Sequence, residues 1–129
     1  MQALTVTLVT ASIMGLVMIW LAARVIAGRV KGDVIIGDGE NADLLYRIRA
    51  QGNFAEYTPL FLILLGALEL SAGNQTVLAV LAAVFVVARV LHVFGMGENA
   101  NLKFRQIGMI ATFLALAAAS VYGLVIVLL

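Results

Sequence analysis

Leu4 to Ala23, LTVTLVTASIMGLVMIWLAA, contains no charged residue over 20 positions. About 20 apolar residues, at a rise of about 1.5 Å each, match the roughly 30 Å hydrocarbon core of a bilayer, so the stretch reads as a transmembrane helix. It has no basic segment in front of it and runs longer than the apolar part of a secretory signal, which predicts a retained helix. Trp20 falls where interfacial aromatics sit, and charge returns at Arg24 and Arg29.

The whole chain has the same character. It has 129 residues, of which 64% are apolar and only 12% charged, with a mean hydropathy of +1.10. Ordinary soluble domains are about half apolar and roughly a quarter charged, so this is an integral membrane protein. The absence of cysteine excludes disulfides, thiolate metal sites and a cysteine nucleophile, and a single histidine leaves no basis for a zinc or haem site. No metal and no nucleic-acid partner is expected.

Beyond the first span, Val30 to Asn41 (VKGDVIIGDGEN) holds three glycines and four charged residues, the chemistry of a loop outside the hydrocarbon. Asn41 or Asp43 then caps a second helix that is longer than one span. Pro59 removes one backbone hydrogen bond from it, predicting a kink near residues 55–59 that a bundle tolerates. A short uncharged turn, SAGNQ at 71–75, leads to a third span, and GMGENAN at 95–101 leads to a fourth. The reading is one all-α domain over residues 1–129, a transmembrane four-helix bundle with helices at about 4–28, 42–70, 76–94 and 102–128. Its short connections imply antiparallel neighbours.

All eight basic residues fall at the end of the bundle that holds the first and third loops. By the positive-inside rule that end is cytoplasmic, with both termini periplasmic. Six of the seven acids share it; Glu69, at the other end, reads as an interfacial residue.

Polar residues at the basic end make a pattern. Arg49, Asn53 and Glu56 lie at i, i+4 and i+7, on one side of one helix. One reading is an Arg/Glu pair bridged by Asn53 that holds helices together. The other is a site for a zwitterion, with Arg49 forking onto a carboxylate and Glu56 accepting an ammonium group. Arg89 and His92, one turn apart near the hydrocarbon boundary, are intramembrane ionisable residues, and Arg89 is expected to face the bundle interior. Lys103 suits anionic headgroups, whereas Arg105 can point inward and stabilise an anion.

The run Arg49-Ala50-Gln51-Gly52-Asn53-Phe54-Ala55-Glu56-Tyr57-Thr58-Pro59-Leu60 resembles the RAxxNxxE signature of the MAPEG family, the membrane-associated proteins in eicosanoid and glutathione metabolism. Ala88 to Gly95, ARVLHVFG, is similar to the family's third-helix segment in the HxxG form of bacterial members. The resemblance implies a homotrimer of four-helix protomers that binds glutathione as co-substrate near the cytoplasmic side, between protomers. Arg49, Asn53, Glu56, Tyr57, Arg89 and His92 match its glutathione contacts. Arg105 matches the catalytic arginine of the prostaglandin branch, and Lys103 takes that place when aligned to the leukotriene branch. Arg24 corresponds only loosely to a first-helix arginine. Met96 stands where eukaryotic members have a tyrosine, and Gly52 replaces a further cation, which argues against a dedicated eicosanoid synthase.

The expected function is therefore a glutathione transferase or peroxidase of a bacterial inner membrane, acting on lipophilic electrophiles from the bilayer. A guanidinium, which stays protonated far above neutral pH, can stabilise the attacking thiolate without losing its own charge. The alternative is a non-catalytic protein on the same scaffold whose polar cluster serves assembly or lipid binding. A four-span multidrug transporter is disfavoured, because the first span lacks an acid.

Overall fold

The computed structural model describes residues 4–71 and 73–129. Four helices follow one another: α1 (Thr5–Gly32), α2 (Ala42–Leu70), α3 (Gln75–Phe94) and α4 (Leu102–Leu128). Each is long and apolar enough to cross a membrane. α1 pairs with α2, α3 pairs with α4, and α2 also touches the second pair, which closes the bundle.

The helix starts follow from asparagine. Asn41, Asn74 and Asn101 accept hydrogen bonds from amides of the first turns of α2, α3 and α4, satisfying donors that would otherwise be orphaned. Asp43 is not the cap. It pairs with Arg47 one turn on, at 2.8 Å. α1 has no side-chain cap of its own at Leu4. Its Val6 and Thr7 amides instead donate to the two carboxylate oxygens of Glu69, at 2.9 and 2.8 Å. Glu69 is thus buried, 2% exposed, and ties the start of α1 to the end of α2, a structural role beyond its expected place near the second loop.

α1 also runs on to Gly32, four residues past the expected end at 28. Charge marks where a span leaves the hydrocarbon, not where its helix stops. Arg29 and Lys31 suit the negative end of the helix dipole. The helix ends only where Asp33 turns left-handed (φ 52°) and Val34 N–H bonds back to the Arg29 carbonyl at 3.0 Å. α2 continues helical through Pro59.

Helical spacing decides what is buried. In α2 the buried face includes Phe54, Thr58, Phe61, Leu65 and Leu68; in α3 it includes Leu78, Ala82, Phe85, Arg89 and His92. Both series step by three and four residues, one stripe of a helix turned to the core. Phe61 and Phe85 stack across it with ring centroids 3.8 Å apart. The α4 stripe is small: Gly108, Thr112, Ala115 and Ala119. Small residues let helices approach closely, and close packing rather than apolar burial drives association in lipid. Large side chains such as Leu8, Ile19, Ile63 and Leu114 stay exposed on the outside, where lipid would lie.

Candidate functional site

Towards the basic end the α3 stripe changes from Leu78, Ala82 and Phe85 to Arg89 and His92 without leaving the core face. Arg89 is fully buried and His92 only 2% exposed. The Arg89 guanidinium donates to Asn53 Oδ1 at 2.6 Å and, more weakly, to Thr112 Oγ1 at 3.4 Å. Thr112 in turn donates to the Gly108 carbonyl at 2.7 Å, so the network links α2, α3 and α4. Its Cζ also lies 5.8 Å from the Phe54 ring and 5.7 Å from that of Tyr57. Among the described residues no carboxylate pairs with Arg89. A buried cation held by neutral oxygens and aromatic faces is a costly arrangement.

In front of this network is a cavity of about 210 Å³. α2 contributes Leu45, Tyr46, Arg49 and Asn53, α3 contributes His92, the following turn Met96, and α4 Arg105. Arg49 and Arg105 are exposed, Asn53 is half-buried. His92 Nδ1 and Arg89 Nε have no hydrogen-bond partner, in an environment where buried polar atoms are nearly always paired. The lining combines two guanidinium groups, an imidazole, an amide and the phenol of Tyr46 with no acid. That donor set is suited to an anion, and the planar guanidinium fork matches the geometry of a carboxylate.

The residues singled out in the sequence are therefore divided by position. Arg49, Asn53, His92 and Arg105 share the cavity wall, and Arg89 stands directly behind Asn53. Glu56 and Tyr57 lie outside that wall: Glu56 is exposed, 4.0 Å from Arg49, and Tyr57 packs edge-on against Phe113. Asn53 does not bridge Arg49 to Glu56, because its oxygen is taken by Arg89. Of the two cations opening α4, Arg105 lines the cavity and Lys103 does not. Arg24 stacks over Trp20, 5.0 Å from the ring centroid, also away from the cavity. Sequence reasoning passed over Tyr46 and Thr112. For Thr112 a signal existed, since it continues the spacing of Gly108, Ala115 and Ala119. Met96 contributes an apolar thioether to the cavity wall. Among the described residues no three His, Asp or Glu side chains are grouped to hold a metal ion.

Four membrane-length helices around a buried arginine, with a basic cavity at one end, define an integral membrane protein with a polar site built into its bundle. The chain matches the MAPEG family over residues 7–125 and belongs to it. It is also similar to two Escherichia coli proteins, from different strains, each named inner membrane protein YecN, with 30% identity over 88 residues. The match covers 68% of this chain and 66% of each relative, so the chain spans slightly less than two thirds of the length of these curated relatives.

Proposed function

We propose that this chain is a glutathione transferase or peroxidase of the inner membrane, with its basic end cytoplasmic and its termini periplasmic. The observation that carries the reading is the cavity holding Arg49, Asn53, His92 and Arg105 with no acid in its wall and Glu56 just outside it. Glutathione has two carboxylates, one ammonium group and a thiol. Arg49 takes a carboxylate, Glu56 the ammonium, and Asn53 and His92 the peptide groups between. Arg89 holds Asn53 in place, and Tyr57 borders the ligand on the outer face of α2. Arg105 stabilises the thiolate, whose proton leaves to water. The thiolate sulfur then bonds to an electrophilic carbon of a lipophilic acceptor as a leaving group departs from that carbon with its electron pair. Alternatively it attacks the distal oxygen of a lipid hydroperoxide, breaking the O–O bond to leave a lipid alcohol and glutathione sulfenic acid, which a second glutathione converts to glutathione disulfide with loss of water. In a homotrimer, a neighbouring protomer covers exposed Glu56 and half-buried Tyr57, and the acceptor enters from the bilayer between protomers.

The test is the ultraviolet absorbance of thiolate when detergent-solubilised protein is mixed with glutathione. Wild type is expected to show a saturable thiolate signal and Arg105→Leu to lose it while still binding glutathione. An unchanged signal in Arg105→Leu removes the role from Arg105. Binding without any thiolate in wild type leaves the cavity as a binding face alone.

A further inference from the structure

The two cavity residues contributed by α3 and α4 are seated in an unusual way. A Cβ placed on Gly108 of α4 would lie 2.6 Å from both the Ala88 carbonyl oxygen and the His92 nitrogen, and 2.8 Å from His92 Cα. A Cβ placed on Gly95, at the end of α3, would meet the Arg105 nitrogen and lie 2.6 Å from its Cα. Side-chain Cβ atoms essentially never come within 3.0 Å of such atoms, so at both places the two backbones are in contact. The contacts are reciprocal: His92 rests on a glycine of α4, and Arg105 rests on the glycine that follows α3. Other helix glycines differ. Gly15 has nothing within 4 Å of its would-be Cβ, and Gly123 has only Leu68 Cδ2 at 3.6 Å.

We propose that Gly95 and Gly108 are positioning residues that set the spacing of His92 and Arg105 across the cavity by direct backbone contact. The inference rests on the proposed glutathione chemistry for its kinetic consequence, but not for its geometric one. Gly108 also offers its carbonyl to Thr112, the hydroxyl that accepts from Arg89, so the same contact sits at the end of the network behind the cavity. A methyl group at either glycine meets rigid backbone rather than a side chain that can swing away. Relieving it needs about 1 Å of added separation between α3 and α4. A displacement of about 1 Å can cost a reaction roughly a hundredfold in rate, whereas Arg49 and Asn53 on α2 stay where they are.

The experiment compares Gly108→Ala and Gly95→Ala with the controls Gly15→Ala and Gly123→Ala. In the first pair kcat is expected to fall about tenfold to a hundredfold with a smaller change in KM for glutathione, and the thiolate absorbance to drop. The controls are expected to match wild type. Determined structures of wild type and Gly108→Ala without glutathione give a readout independent of the ligand: residues 88–92 and 108 should move apart by about 1 Å. Should wild type fail to bind glutathione, the proposed function falls while this widening still decides the positioning role. Unchanged helix spacing overturns the proposal, as does unchanged kcat with an unchanged thiolate signal. Gly95→Ala, at a helix end, provides the test if Gly108→Ala does not fold. Loss of folding in both, with Gly123→Ala intact, overturns it too, since the glycines would then govern assembly of the pair rather than its spacing.

Discussion

The two ends of the bundle treat their buried ionisable groups in opposite ways. At the end without basic residues the buried carboxylate of Glu69 has both oxygens occupied by amides of α1, although the hydroxyl of neighbouring Thr7 has no partner. At the basic end two guanidinium groups stand exposed beside a cavity, and buried Arg89 Nε and His92 Nδ1 lack partners. The same four helices supply both ends, so the difference is not one of scaffold. An ionisable group whose hydrogen bonds are filled serves architecture, and one with an open position beside a cavity, as His92 has at Nδ1, leaves room for a ligand.

Substitutions should separate the ends. The largest stability loss is expected at the closed end: Glu69→Ala strands two amides that donate to a carboxylate and should cost about 3 kcal/mol in denaturation of the solubilised protein. Glutathione affinity, scaled to the folded fraction, should not change. Asn53→Ala belongs to both categories. It leaves the buried Arg89 cation without its closest acceptor, and a loss of about 2 kcal/mol is expected, together with weaker glutathione binding by calorimetry. Glu56→Gln should show the smallest effect on stability, within about 0.5 kcal/mol, because its pair with Arg49 is exposed and 4.0 Å long. Its effect should instead appear in affinity for glutathione compared with an analogue lacking the ammonium group. Equal stability losses at Glu69 and Glu56 would erase the contrast between the ends.

Much of this was legible in the sequence. An uncharged 20-residue run, the clustering of all bases at one end, and Asn41 or Asp43 before an apolar helix are local signals, so the four spans, the basic end and the place of the α2 cap can be read off. Arg89 was readable as inward-facing, and the structure places it on the core stripe of Leu78, Ala82 and Phe85. Glu69 was not readable, because its partners lie 62 and 63 residues away and only packing brings them together. The same holds for the Asn53 oxygen, whose partner is on another helix rather than along its own stripe. The end of α1 was misplaced because the membrane edge was taken for the helix end. The contribution of Gly95 and Gly108 depends on how closely two backbones approach, which a composition of small residues permits but does not dictate.

The claim that the basic end is a ligand site is tested most directly by thermal unfolding of solubilised wild type and Arg49→Ala, each with and without millimolar glutathione. A ligand bound only to the native state adds about 2.7 kcal/mol at a hundredfold excess over Kd. Wild type is therefore expected to unfold at a clearly higher temperature with glutathione, and Arg49→Ala, equally stable without it, to shift far less. No shift in wild type, or the same shift in Arg49→Ala, would contradict the account.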